Sequence, residues 1–123
     1  MAKKRILIVD DQGELRKLVR MTLEFEDYEL HEAEDGKRAL VLVKTIMPDL
    51  VILDVMMPGD INGYDVCQLI KDNPETSDTY IILLTARGQK SDLERGGEVG
   101  ANTYLVKPFS PIELVDVVKN ALM

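Results

Sequence analysis

Residues 50–54 read Leu-Val-Ile-Leu-Asp, four aliphatic residues in a row closed by a carboxylate. A strand with one wet face alternates apolar and polar side chains. An unbroken aliphatic run of this length instead fits a parallel strand covered by helices on both faces. Working outward, Ile6-Leu7-Ile8-Val9 and Ile81-Ile82-Leu83-Leu84 repeat the pattern, and Tyr104-Leu105-Val106 is a shorter version of it. A fifth segment, Tyr28 to Ala33, alternates more and carries Glu29, His31 and Glu32, which reads as an edge strand with a wet side.

Helical patterns separate these runs. Leu15, Leu18, Val19, Thr22 and Leu23 share one face of a first helix; Ala39, Leu40, Val43 and Met47 mark a second, stopped by Pro48. Val66, Cys67 and Ile70 mark a third. A fourth is expected over Ser91–Val99, opened by a Ser91/Glu94 capping box and weakened by Gly96-Gly97, each glycine costing about 1 kcal/mol of helix propensity. A fifth opens with Ser110 as cap, Pro111 at the first helical position and Glu113 completing the box, with Val115, Val118 and Leu122 facing inward.

Five βα units with short connections specify an α/β fold: a five-stranded parallel sheet with right-handed crossovers and helices on both faces, doubly wound in the flavodoxin-like manner. The strand order 2-1-3-4-5 buries the most aliphatic strands, and ligands of such sheets bind beyond the carboxyl ends of the strands, at the switch point between strands one and three. Residues 1–123 read as a single domain, without linker, repeat or low-complexity segment.

Those carboxyl ends carry the chemistry. Strand one ends in Asp10-Asp11, strand three in Asp54, strand four in Thr85-Ala86 and strand five in Lys107-Pro108; the second ends in Ala33 and offers no reactive group. Neighbouring strands lie about 4.8 Å apart, so Asp10, Asp11 and Asp54 are expected in one crevice. Like charges about 4 Å apart repel by about 4 kcal/mol at an effective dielectric of 20. Either some of these carboxyls hold protons or a cation sits among them, and a hard divalent ion with oxygen ligands is the magnesium pattern. Lys107 adds positive charge. Both cations favour the ionised Asp54 that a carboxylate nucleophile requires.

Composition removes other classes. The chain is 46% apolar and 30% charged, with no apolar run approaching the roughly 20 residues of a membrane-spanning helix. One cysteine, Cys67, allows no internal disulfide, and one histidine, His31, allows no His-rich metal site. The net charge of −7 repels phosphate backbones, so no direct nucleic-acid contact by this domain is expected. A cytoplasmic location, away from membranes, follows from the same features. Cys67 and the six methionines read as core filler. Asp11 taken alone could cap the first helix, with Glu14 completing a capping box.

With ILIVDD at 6–11, VILDVMMPG at 51–59, Thr85-Ala86, and YLVKPF at 104–109, the chain resembles the receiver domains of bacterial two-component response regulators, of the chemotaxis-receiver type. The resemblance implies a phosphoacceptor switch rather than a turnover enzyme. Asp54 would take a phosphoryl group from a sensor histidine kinase or phosphotransfer protein, and the domain would then act on a downstream protein target or an output domain. It implies Mg²⁺ held by Asp11, Asp54 and the main-chain carbonyl of Met56, with Asp10 acting through water. Lys107 and the Thr85 hydroxyl would contact phosphoryl oxygens, Thr85 and Tyr104 would form the switch pair, and Lys107-Pro108 would be cis. Between Pro58 and Gly63 the chain reads Gly-Asp-Ile-Asn, one residue more than is usual in the family. The alternative is a Mg²⁺-dependent phosphatase of the haloacid-dehalogenase type, which also uses an aspartyl nucleophile after an apolar strand. That chemistry needs a second acid two residues on, where this chain has Met56.

Overall fold

The computed structural model describes residues 3–86, 94–95 and 97–123. Along the chain run β1 (Lys4–Val9), α1 (Gly13–Leu23), β2 (Tyr28–Ala33), α2 (Gly36–Ile46), β3 (Leu50–Asp54), α3 (Gly63–Asp72), β4 (Tyr80–Thr85), β5 (Thr103–Val106) and α4 (Pro111–Ala121). The five strands form one parallel sheet in the order β2-β1-β3-β4-β5, as expected. The helix expected over 91–99 and its Ser91/Glu94 box fall largely outside the described residues.

Burial follows the aliphatic runs. Ile6 to Val9, Leu50 to Leu53 and Ile81 to Leu84 are fully buried, and β2 is half-exposed along most of its length, as an edge strand should be. Alternate side chains of the central strands feed two cores. Leu7, Val9, Val51, Leu53, Ile81 and Leu83 pack against Ala39 and Val43 of α2 and Val66, Cys67 and Ile70 of α3. Ile6, Ile8, Leu50, Ile52, Ile82 and Leu84 pack against Val19 and Leu23 of α1 and Leu114 and Val118 of α4. Two positions expected to face inward do not. Leu18 is 50% exposed, and Met47 sits beyond α2 in the left-handed region at φ +53° with its side chain turned outward. Pro48 disfavours helix at the residue before it, so the chain breaks at Met47.

Three helices open with a glycine, preceded by Gln12, Asp35 and Asn62 as N-caps. Asp35 accepts from the Arg38 N–H; Asn62 and Asp65 form a reciprocal capping box. Asp11 is no cap, since α1 begins after Gln12 and no side chain caps it. The Ser110–Glu113 box on α4 forms as expected, with Pro111 in the first turn. In the longer 58–63 loop, Gly59 turns the chain at φ +104° and Ile61 is tucked against Gly36 of α2.

Candidate functional site

The register aligns the strand ends. Val9 lies opposite Ala33 and Leu53, Asp54 opposite Leu84, and Thr85 opposite Val106. The residues that leave β1, β3, β4 and β5 therefore emerge on one edge of the sheet. Asp10, Asp11 and Asp54 each offer a carboxylate oxygen, and the three atoms lie within 4.8 Å of one another. Asp10 is 1% and Asp54 4% exposed, whereas Asp11 is open to solvent.

Lys107 lies between the buried pair. Its Nζ is 3.3 Å from Asp10 Oδ2 and 3.3 Å from Asp54 Oδ1. The Lys107 backbone N–H donates to the Thr85 carbonyl at 2.7 Å, and the Lys107–Pro108 peptide is cis. Main-chain donors fix both carboxylates: the Gln12 N–H reaches Asp10 Oδ1 at 2.9 Å, and the Met56 N–H reaches Asp54 Oδ1 at 3.2 Å. Asp54 is held from behind as well. The Gly63 N–H donates to the Val55 carbonyl, and a Cβ at Gly63 would stand 2.1 Å from the Asp54 carbonyl oxygen. Only a residue without a side chain lets α3 start this close to the β3 peptide.

Three carboxylates against one ammonium leave an excess of negative charge if all are ionised. Asp54 registers it. Burial first, then the charge of Asp10, push its carboxyl up to about 6, against the opposing pull of Lys107 and the Met56 N–H. A divalent cation among the three oxygens would remove that excess, and hard carboxylate donors are the ligands Mg²⁺ takes. The donor set therefore fits the metal.

Thr85 ends β4 and is 5% exposed. Tyr104, on β5, is half-buried against the α2/α3 core, with its hydroxyl 3.7 Å from where a Cβ on Gly97 would stand. Met56 is 74% exposed, beside the cluster in sequence. His31 is part-exposed on β2 and pairs with Glu29 at 2.8 Å, away from the carboxylates.

Two residues that were no site candidates on sequence, one of them Glu32 of the edge strand, bear on the site from outside. Arg16 of α1 donates through Nη1 to the Asp10 main-chain oxygen at 2.6 Å, and Glu32 of β2 holds that guanidinium at 3.2 Å. The contact joins residues 16 positions apart with no shared motif, so no local pattern announces it.

The family model of the response regulator receiver domain matches residues 6–119. The chain is 44% identical over 118 residues to the transcriptional regulatory protein ResD of Bacillus subtilis, covering 96% of this chain and 48% of ResD. It is 42% identical over 122 residues to the phosphate regulon transcriptional regulatory protein PhoB of Pseudomonas aeruginosa, covering 99% of this chain and 53% of PhoB. Its backbone superposes on the chemotaxis protein CheY4 of Vibrio cholerae with a TM-score of 0.91 at 32% identity, over 98% of this chain and 99% of that one. The chain spans about half the length of the curated relatives it matches. Sheet order, strand-end residues and these likenesses agree, and the chain belongs to the response regulator receiver domain family of two-component signalling.

Proposed function

We propose that residues 1–123 form one receiver domain whose Asp54 accepts a phosphoryl group from a phosphohistidine on a sensor histidine kinase or phosphotransfer protein. The phosphorylated domain then controls a downstream protein target or an output domain. The observation that carries this reading is the Asp54 carboxylate: nearly buried at a strand end, 3.3 Å from the Lys107 ammonium, with the Asp10 and Asp11 carboxylates beside it. A carboxylate at the end of so apolar a strand costs free energy unless it is used.

Phosphoryl transfer asks for an aligned nucleophile and positive charge around the moving group, with little covalent help. Here an Asp54 oxygen forms the new P–O bond while the bond from phosphorus to the donor imidazole nitrogen breaks, and the nitrogen leaves with the bonding pair. Lys107 already stands beside that oxygen and meets the phosphoryl charge. The Thr85 hydroxyl is the second contact, and Tyr104 responds to its movement. Asp11, Asp54 and the Met56 carbonyl would hold Mg²⁺, with Asp10 acting through water. Mg²⁺ supplies charge neutralisation for the carboxylates and for the incoming phosphoryl oxygens.

The new group on Asp54 biases a two-state element. Moving such an element from 1:99 to 99:1 takes about 5.5 kcal/mol of differential interaction. One charge-assisted hydrogen bond gives about 1.5–3 kcal/mol, so Lys107 and Thr85 act together. The domain is a switch rather than a turnover enzyme, and its acidic surface keeps it off nucleic acid. On its family we assign the domain to the cytoplasm. No helix among the described residues is long and apolar enough to cross a membrane. The phosphatase alternative has no comparable support: the position that should carry its second acid is Met56, and the family match lies elsewhere.

With acetyl phosphate and Mg²⁺, the wild-type chain gains one phosphoryl group by intact-mass spectrometry, and Asp54→Asn gains none. Undiminished labelling of Asp54→Asn overturns the assignment.

A further inference from the structure

Arg16 and Arg20 stand one turn apart on α1 and grip the two oxygens of one carboxylate. Arg16 Nε is 3.2 Å from Glu32 Oε1, and Arg20 Nη1 is 3.0 Å from Glu32 Oε2. Glu32 lies opposite Ile8 on β2, and its side chain emerges on the sheet face that α1 covers. The second arm of the Arg16 fork donates to the Asp10 carbonyl at 2.6 Å. On its other side, the Asp10 N–H donates to the Ala33 carbonyl at 3.2 Å. Both ends of the Asp10 residue are thus tied to β2, one directly and one through a guanidinium.

This brace bears on the acidic turn. Asp10 is almost fully buried, and its carboxylate angle is set by the Gln12 N–H and by Lys107. The exposed Asp11 follows in the same turn. If the Asp10 carbonyl lost its donor, the turn would relax toward another partner, and both carboxylates would move with it. Charge alone does not explain the arrangement, because the Arg16 guanidinium donates to the main-chain oxygen of Asp10 and not to a carboxylate oxygen. Arg16 supplies direction rather than field.

We propose that Arg16, held by Glu32, which Arg20 also grips, is a positioning residue that sets the Asp10–Asp11 turn for divalent-cation binding. The inference rests on the reading of the acidic cluster as a Mg²⁺ and phosphoryl site.

The molecule contains its own control. Arg5, at the opposite end of the sheet, makes the same kind of paired contact at a more exposed position. Its Nε is 3.2 Å from Glu29 Oε2 on β2, and its Nη1 donates to the Ile46 carbonyl at 2.7 Å. Arg5→Gln therefore removes an equivalent brace that leads nowhere near the carboxylates.

The test is Mg²⁺ titration by calorimetry on the full chain, with thermal melts of the metal-free protein and acetyl phosphate labelling against Mg²⁺ concentration. Removing a group that orients a metal ligand costs about 10–100-fold in affinity. Arg16→Gln and Glu32→Gln are expected to weaken Mg²⁺ binding by that amount, and Arg5→Gln to leave it unchanged. Labelling by Arg16→Gln should return to about the wild-type rate at saturating Mg²⁺, because the loss lies in binding rather than in transfer. The double variant Arg16→Gln/Glu32→Gln should be no worse than Arg16→Gln. If Arg16→Gln does not fold, Glu32→Gln carries the test alone. Mg²⁺ affinity within twofold of wild type in the folded variants, or an equal loss in Arg5→Gln, overturns the inference while wild-type labelling leaves the site reading intact. A wild-type chain that takes neither Mg²⁺ nor label overturns both.

Discussion

Asp54 is the residue at which burial, charge and chemistry meet. Burial and the neighbouring Asp10 raise its carboxyl to about 6, from an ordinary unfolded value near 4. A carboxyl raised on folding binds more protons in the native state than in the unfolded one, so its contribution to stability is fully present below about pH 4 and is lost as pH rises through about 6. For the metal-free protein, this window corresponds to about 3 kcal/mol at most. Other carboxylates titrate over the same range, so the informative quantity is the difference between wild type and Asp54→Asn. In urea denaturation without divalent cations, Asp54→Asn should gain stability over wild type progressively between pH 4 and pH 6 and hold that gain above pH 7. A difference that stays flat across this range removes the electrostatic strain assigned to the site. The same strain gives Lys107 a role in the metal-free protein. It spans Asp10 and Asp54 at 3.3 Å, partly offsetting their repulsion.

At the level of elements, three helices begin in the same way and differ in what their first residue touches. A Cβ at Gly13 would find only the Arg16 guanidinium, at 3.5 Å. At Gly36 it would meet Ile61 Cγ1 at 2.7 Å and Cγ2 of the buried Val66 at 2.9 Å, side chains rather than backbone. At Gly63 it would strike the Asp54 carbonyl oxygen at 2.1 Å, which is backbone and cannot give without moving β3. Substitution by alanine should therefore rank in that order by chemical denaturation. Gly13→Ala should be near neutral, Gly36→Ala should lose about 1 kcal/mol, and Gly63→Ala about 3 kcal/mol or more, with slower Asp54 labelling only in the last. Equal losses at Gly13 and Gly63 would detach the α3 start from the site. None of this was legible from spacing. The aliphatic runs fixed strand identity because continuous hydrophobicity reports burial on both faces. Ser110–Glu113 was visible because a capping box is local. By contrast, the close approach at Gly63, the outward turn of Leu18 and the Arg16–Glu32 brace depend on where two distant segments meet. Likewise, strand two looked silent because its end carries no reactive group, while its contribution comes one residue earlier, at Glu32.

Across the whole molecule, the excess of 22 acidic over 15 basic residues makes any cation favourable in a general way, so a cation effect must be separated from screening. The acidic cluster predicts something narrower. An ion bound only by the native state adds RT ln(1 + [L]/Kd), about 2.7 kcal/mol at a hundredfold excess over Kd. With an unfolding entropy of about 2.1 cal/mol/K per residue, a chain of 123 residues should then melt about 10 °C higher. Sodium chloride at matched ionic strength should reproduce little of that shift, because it acts on the surface and not on the buried pair. In Asp11→Asn the shift should fall sharply if Asp11 is a ligand as proposed, since its exposed carboxylate is lost while the buried pair with Lys107 remains. In Asp54→Asn it should also fall, but from a higher metal-free melting temperature at pH 7, because the strained carboxylate is gone. That divergence of the two baselines separates a ligand from a ligand that is also destabilised by its own site. Equal Mg²⁺ shifts in wild type and both variants would mean that the ion acts on the acidic surface at large and that the three carboxylates hold nothing in particular.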